Sequence, residues 1–158
     1  MLEIRAAQPS DAAAISALVS ALVAKFIAPD CTPAGAEILL KSMSAQAIAG
    51  YISQPNFDYQ LATLEGELVA VVATRDNSHL YHLFVAEAYQ GRGYARLLWQ
   101  QAKTRCIARA ATKVFTVNAS PYAEALYRRL GFVAMQGRRE QQGIVDVPMQ
   151  LQLDADQV

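Results

Sequence analysis

Two closely spaced glycines stand where the sequence changes from a strand pattern to a helix pattern, and this junction narrows the possible folds most. The segment is Gln90-Gly91-Arg92-Gly93-Tyr94-Ala95. The apolar run Leu83-Phe84-Val85 comes before it, and from Tyr94 onward apolar residues recur at helical spacing. The first amides of a helix lack intrahelical partners and lie at the positive end of the helix dipole. Because glycine lets an anion approach such amides closely, the junction predicts a phosphate-binding site.

Other glycine motifs fit the segment less well. A dinucleotide-binding fingerprint would need glycine or alanine at the position of Arg96, and the Gly-Lys-Ser/Thr of a P-loop is absent from the sequence. A kinase glycine loop would lie in a hairpin, and the other kinase motifs are missing. A helix start whose glycines serve only a tight turn stays open at this point.

The order of strand and helix patterns along the chain is β-α-α-β-β-β-α-β-α-β-β. Strands are predicted at Leu2–Ala6, Phe57–Leu64, Leu68–Thr74, His79–Val85, Lys113–Val117, Phe132–Met135 and Ile144–Leu153. Helices are predicted from Pro9 to Phe26, over Ala34–Ile52 in one or two pieces, from Tyr94 to about Cys106, and over Pro121–Leu130. This order indicates an α/β or α+β protein in which helices cover a mixed sheet.

Composition excludes several functional classes. The 158 residues are expected to form one domain, 1–153, with a tail at 154–158. Fourteen basic residues balance fourteen acidic ones, so the net charge gives no reason to expect nucleic acid or an anionic membrane as partner. No apolar run approaches the roughly 20 residues of a membrane span, and no signal peptide is evident. Cys31 and Cys106 are far apart and outside any CxxC, which favours two buried reduced thiols in the cytoplasm.

The junction and its surroundings resemble a known family. Residues 82–95 closely resemble motif A of the GCN5-related N-acetyltransferases (GNAT), a strand followed by Gln/Arg-x-x-Gly-x-Gly/Ala, with Gln90, Gly93 and Ala95 in the pattern positions. Residues 117–120 and 125–132 are similar to later motifs of the family at the right separation. The resemblance implies the GNAT acyl-CoA N-acyltransferase fold, a mixed, mostly antiparallel sheet of about seven strands with four helices.

The resemblance also implies acetyl-CoA as cosubstrate, with no metal. In the family, the fourth and fifth strands splay apart, and the pantetheine arm lies in the gap like an added strand. The main chain at the end of the fourth strand would pair with pantetheine, the glycine segment would take the pyrophosphate, and residues after the fifth strand would complete the site. The implied residues are Leu83, Phe84, Val85, Gln90, Gly91, Arg92, Gly93, Tyr94, Ala95, Asn118 and Ser120.

Tyr127 occupies the position at which the family carries its general acid. A phenol is protonated at neutral pH and can donate a proton to the departing thiolate. Ser120 and Pro121 predict the start of the helix that carries it, and Gly131 predicts a left-handed end with Phe132 folding back onto the helix. From spacing alone, a packed core tyrosine is the favoured interpretation of Tyr127.

The general base is less determined. His82 and Glu87 lie near the predicted splay point, and either can take the ammonium proton through water. A strand histidine is more often packed or at the surface, and a carboxylate in a turn is ordinarily solvated. His79 and His82 are three residues apart on a strand, so we expect them on opposite faces and predict no shared metal.

The sequence leaves the acceptor open. In the family, the acceptor pocket is formed by the first two helices and the loop between the last strands, here Gly137–Gly143. Glu140 and Asp146 can attract an ammonium group, although Arg138 and Arg139 offset them. The segment 143–149 resembles a large bacterial subgroup with mostly uncharacterised members.

The leading hypothesis is an N-acetyltransferase that moves acetyl from acetyl-CoA to a primary amine of a small molecule or peptide by direct attack. A non-catalytic acyl-CoA-binding regulatory module on the same fold is the alternative, and a nucleotide-binding protein unrelated to CoA is a third. Homodimers are common in the family, but no apolar stripe in this sequence indicates one.

Overall fold

The computed structural model describes residues 1–154, whose strands form one mixed sheet. The strands are β1 (Leu2–Ala6), β2 (Phe57–Leu64), β3 (Glu67–Arg75), β4 (His79–Val85), β5 (Val114–Ala119), β6 (Val133–Ala134), β7 (Arg139–Gln141) and β8 (Ile144–Gln152). Their order is β1-β2-β3-β4-β5-β8-β6, and β7 pairs with β8. Only the β4–β5 pair is parallel among these strands. The mixed, mostly antiparallel sheet that the family resemblance implied is confirmed.

Helices cover both faces of this sheet. They are α1 (Ala12–Leu22), α2 (Pro33–Lys41), α3 (Ala45–Ile52), α4 (Tyr94–Ala110) and α5 (Glu124–Arg129). One apolar core lies between the sheet and the first three helices and includes Ile15, Val19 and Ile48. The other lies beneath α4 and α5 and includes Trp99 and Phe132. Because successive side chains of a strand point to opposite faces of the sheet, the sheet contributes side chains to both cores.

The predicted order of elements holds with two refinements. The second helical stretch forms two helices, α2 and α3, each started by a hydroxyl that accepts from a main-chain amide of the first turn. The loop predicted over Gly137–Gly143 contains a short strand, β7, which pairs with the start of β8. The turn between them uses positive φ at Gln142 and Gly143. Apart from Asp154, the predicted tail at 154–158 lies outside the described residues.

The N-terminal helical segment is longer than predicted, which corrects the expectation that no apolar stretch approaches the length of a membrane span. Pro9–Asp30 spans 22 residues with a mean hydropathy of 1.8, which by length and composition is enough to cross a membrane. A core helix of a globular protein passes the same test, and here Ile15, Val19 and Val23 are fully buried in the fold. After α1 the segment widens into a π-helical turn over Val23–Ile27.

The sheet opens between β4 and β5. These strands pair only at His79 with Thr116 and at Leu80 with Val117. On its other side, β4 pairs with β3 along its length, and the register shifts so that Tyr81 has no partner on β3. This extra residue is a β-bulge, which bends a strand and strengthens its twist. The gap that the family resemblance implied is therefore present, and it begins at the bulge.

Helix α2 closes the far side of this region by contacting the β7–β8 turn. Thr32 donates its main-chain N–H to the Gly143 oxygen at 2.9 Å. A Cβ on Gly35 would overlap the Gly143 main chain, so the contact requires glycine in the first turn of α2. Gly50 in α3, by contrast, has open space around the position of a Cβ.

We expect Gly35→Ala to lower the free energy of unfolding by about 1–3 kcal/mol, because the added methyl separates α2 from the β7–β8 turn. Gly50→Ala is the matched control and should leave stability unchanged or raise it by up to about 1 kcal/mol. Chemical denaturation of both variants measures the difference. Equal stability of the two variants would contradict the close-approach argument.

Candidate active site

A cavity of about 750 Å³ follows the gap between β4 and β5 and reaches both faces of the sheet. Its walls include most of the residues that the sequence analysis selected. They are His82, Leu83, Phe84, Val85, Gln90, Gly91, Gly93, Tyr94, Ala95, Asn118, Ser120 and Tyr127. Arg92 and Glu87 are the predicted site residues that do not line it.

The glycine segment forms one end of the cavity. Gly91 and Gly93 have φ values of +79° and +84°, which side chains rarely adopt. Helix α4 begins at Tyr94 with no side-chain cap, so its first amides have no partner within the helix. Nothing lies within 4 Å of the position that a Cβ on Gly93 would occupy. The arrangement leaves room for an anion at the start of a 17-residue helix.

Arginine side chains flank the end of the cavity that the glycine segment forms, but the predicted Arg92 is not among them. Arg96, in the first turn of α4, lines the cavity and donates through Nη2 to the Arg129 main-chain oxygen at 3.2 Å. Arg129 also lines the cavity. Arg92 instead lies over the Tyr89 ring, 5.0 Å from its centroid. Neither Arg96 nor Arg129 was predicted to line the site, although Arg96 stands three residues after Gly93, in the first turn of the predicted helix.

A hydrogen bond joins the loops that follow β4 and β5. Tyr122 donates its hydroxyl to Gln90 Oε1 at 3.0 Å, while Gln90 Nε2 donates to the Val85 oxygen at 3.0 Å. Phe26 of the π-helical turn stacks on Tyr122 with ring centroids 4.5 Å apart. Both polar atoms of the Gln90 side chain, one of the implied cofactor-binding residues, therefore already have partners within the protein. Tyr122, to which the sequence motifs assign no role, also lines the cavity.

Beyond the last pair with β5, the edge of β4 at Leu83, Phe84 and Val85 faces the gap without a strand partner on that side. Asn118 lies across the gap at the end of β5 and accepts through Oδ1 from Arg139 Nη2 at 3.5 Å. Ser120 follows, and its Oγ accepts from the Ala123 amide at 3.2 Å. An extended chain with its own amides fits between these groups.

Tyr127 is buried in α5 with its side chain on the cavity wall. Burial raises the pKa of its phenol above the ordinary value, so the hydroxyl is protonated at neutral pH. Within residues 1–154 it has no hydrogen-bond partner. Its ring packs edge-on against Phe132 at 5.8 Å between centroids. A hydroxyl held by ring packing alone can donate to a group that enters the cavity.

The helix that carries Tyr127 is shorter than predicted. It covers Glu124–Arg129 rather than beginning at Pro121, because the Ser120 hydroxyl caps the preceding turn and not the helix. Its end is as expected: Gly131 has a φ of +101°, and Phe132 donates its N–H back to the Tyr127 oxygen at 3.0 Å.

His82 is neutral and tied to a tyrosine. Its side chain is 5% exposed, and Nδ1 lies 2.8 Å from the Tyr59 hydroxyl. Burial lowers the pKa of His82 to about 3. An imidazole with so low a pKa gains little by taking a proton from an ammonium group.

The two histidines of β4 share a face of the sheet, contrary to the sequence expectation. His79 pairs with Arg75 and His82 with Ala73, and the bulge at Tyr81 absorbs the extra residue between them. His79 Nδ1 lies 2.8 Å from Thr116 Oγ1, and burial lowers the pKa of His79 to about 4. No group of three or more His, Cys, Asp or Glu suited to a metal ion occurs in residues 1–154.

Glu87 stands outside the cavity in an ion pair with Lys25, with Nζ at 2.7 and 3.0 Å from its carboxylate oxygens. Asp146 is the carboxylate on the cavity wall, and Arg139 Nε donates to it at 2.6 Å. Both carboxylates are therefore paired with a cation. Glu140, the other predicted attractor of an ammonium group, is exposed in β7.

Comparison with known proteins gives one family and one fold. Residues 27–153 match the sequence profile of the acetyltransferase (GNAT) domain. A GCN5-related N-acetyltransferase from Rhodopseudomonas palustris superposes with a TM-score of 0.82 at 24% identity, covering 96% of this chain and 95% of that one. The PaiA N-acetyltransferase from Thermoplasma acidophilum, in complex with coenzyme A, gives 0.78 at 14% identity, covering 96% and 99%.

A spermidine N-acetyltransferase from Vibrio cholerae is more distant, with a TM-score of 0.65 at 16% identity, covering 96% of this chain and 93% of that one. At these identities the structural likeness establishes the fold. No curated protein matches the chain.

The depressed pKa of His82 predicts a pH-dependent stability. The unfolded histidine binds a proton below about pH 6.5, whereas the folded one binds it only near pH 3. Stability is therefore full above pH 6.5 and falls as the pH drops toward 3, by up to about 1.4 kcal/mol per pH unit from this group. His82→Gln, which cannot protonate, should lose less stability than wild type between pH 7 and 4. Denaturation at each pH tests this, and parallel curves for the two proteins would contradict it.

Proposed function

The chain belongs to the GNAT acetyltransferase family and is an acyltransferase, and we propose that it transfers acetyl from acetyl-CoA to a primary amine of a small molecule or peptide. The observation that carries the proposal is the open gap between β4 and β5. It runs from the glycine segment 90–95 to the Tyr127 hydroxyl. An elongated thioester with a charged end fits a cavity that has free helix amides at one end and a protonated phenol along its wall.

The donor side is supported by complementarity along the gap. The amides at the start of α4, with Arg96 and Arg129 beside them, suit a pyrophosphate. The open edge of β4 at Leu83–Val85 suits the amide groups of a pantetheine arm. Asn118 and Ser120 face the same gap from the β5 side. In the proposal, an N–H near Phe84 or Val85 stabilises the tetrahedral oxyanion.

Tyr127 is proposed as the general acid. Its raised pKa keeps the proton on the phenol until a thiolate forms beside it. A thiolate leaving into the same buried setting is itself poorly solvated, so the pKa of the thiol rises as well. Proton transfer between the two groups then needs no bulk water.

The structure offers no strong candidate for the general base among the described residues. His82 has a pKa of about 3, and Glu87 is paired with Lys25 outside the cavity. We therefore propose that solvent removes the ammonium proton before the amine enters. The nucleophile then attacks the thioester directly as a neutral amine.

The wider setting is also part of the proposal. Residues 1–153 would act as one catalytic domain in the cytoplasm of a bacterium, without nucleic acid or membrane as partner. Cys31, which is half-buried rather than buried, and Cys106 are both free thiols, in keeping with a reducing compartment.

Replacement of Gly93 tests the donor site. We expect Gly93→Asp to weaken acetyl-CoA binding by at least about tenfold, because a carboxylate would stand beside the pyrophosphate. Gly93→Asn is the matched control, since asparagine has the same shape and also tolerates positive φ. Calorimetric titration of both folded variants measures the difference. Equal weakening by the two variants would show that charge at this position is irrelevant.

Removal of the Tyr127 hydroxyl tests the acid. Tyr127→Phe should lower kcat by about 10²–10³-fold, with acetyl-CoA affinity nearly unchanged. Tyr122→Phe loses a hydroxyl from the same cavity and should retain far more activity. The assay is thiol release from acetyl-CoA with an amine acceptor. Full activity of Tyr127→Phe would remove the residue from the mechanism, and acetyl-CoA binding without turnover of any amine would favour the non-catalytic module.

A further inference from the structure

The part of the cavity on the α1–α3 face of the sheet is distinct from the end formed by the glycine segment 90–95, which we call the phosphate end. We call the part on the α1–α3 face the acceptor chamber, and its wall is formed mainly by apolar side chains. They are Leu22, Ile27, Leu39, Met43, Phe84 and Ile144. These side chains come from α1, the π-helical turn, α2 and the segment after it, β4 and β8. The contact between Gly35 of α2 and Gly143 of the β7–β8 turn holds two of these walls together.

Unpaired negative charge is missing from this chamber within the described residues. Asp146 is the one carboxylate on the cavity wall, and Arg139 pairs with it at 2.6 Å. The arginine and the carboxylate are both largely buried, with side chains 29% and 18% exposed. A second ammonium group entering the chamber would therefore lose water without gaining a counter-ion, which is costly.

The two histidines and the tyrosine of β4 that line the cavity add no charge to the chamber. Burial lowers the pKa values of His79 and His82 to about 4 and 3, and burial raises the pKa of Tyr81 above its usual range. At neutral pH, none of these three side chains carries a charge toward the acceptor. An apolar, uncharged wall favours the free amine over the ammonium form of a bound acceptor.

Resting on the proposed function, we propose that the acceptor is a primary amine on an apolar body with no second positive charge. Its aliphatic or aryl group packs among Leu39, Met43 and Phe84, and its nitrogen points into the gap toward the thioester. The chamber excludes polyamines, guanidino amines and lysine-rich peptides because it cannot neutralise their additional charge. Leu39, half-buried at the wall, is a position at which one substitution can change this selectivity.

The test compares phenethylamine with spermidine by thiol release from acetyl-CoA. For wild type, kcat/KM should be at least about tenfold higher with phenethylamine, since each unpaired charge costs more than 1.4 kcal/mol. Leu39→Glu adds a carboxylate to the chamber and should shift the ratio toward spermidine by about tenfold. Leu39→Gln introduces a side chain of the same shape as glutamate without its charge. It should leave the ratio of the two kcat/KM values within about threefold of wild type.

Each outcome bears on a separate claim. Preference of wild type for spermidine, an equal shift by the Gln and Glu variants, or no turnover of phenethylamine would overturn the acceptor class. In each case the proposed function survives if calorimetry shows acetyl-CoA binding and some amine is acetylated. Failure of acetyl-CoA to bind the wild-type protein would overturn the proposed function itself.

Discussion

The short pairing between β4 and β5 is the constraint on which the rest of the site depends. Each strand is held on its outer side, β4 by β3 and β5 by β8, while the edge between them stays open beyond Leu80 and Val117. Main-chain groups on an open edge inside a sheet need partners. An extended ligand with its own N–H and C=O groups supplies them, so the gap selects for ligand shape before any side chain contributes.

Charge is distributed unevenly along this gap. The phosphate end combines free helix amides with Arg96 and Arg129, whereas the opposite end pairs its carboxylate with Arg139 and keeps its histidines neutral. Hydrogen bonds gain strength in a region of low polarity. In the proposed reaction, the Tyr127 hydroxyl and the amides of β4 would therefore act on a thioester where water competes least, while the highly charged end of the ligand would lie near solvent.

The backbone of the glycine segment and the end of α5 were predictable from the sequence because their signals are local. Gly91 and Gly93 needed positive φ at a helix start, and Gly131 ended α5 as its position indicated. The bulge at Tyr81 left no trace in the apolar pattern, and missing it gave the wrong face for His79. The Lys25–Glu87 pair joins residues 62 positions apart, a separation at which spacing gives no information. Ser120 was a sound helix cap by type, yet its hydroxyl serves the turn before α5.

The proposed acceptor chamber was harder to predict because it lies on the α1–α3 face of the sheet, whereas the motifs recognised in the sequence belong to α4 and α5 on the other face. Leu83 and Val85 pack under α4, while Phe84 between them packs toward α1 and α3. An amine among the first helices can reach a thioester held along β4 only where the sheet is open. Phe84 borders both spaces, and the bulge at Tyr81 sets its direction relative to the start of the strand. The bulge thus lies where the pairing between β4 and β5 ends, and in the proposal it also affects which side chains the acceptor would contact.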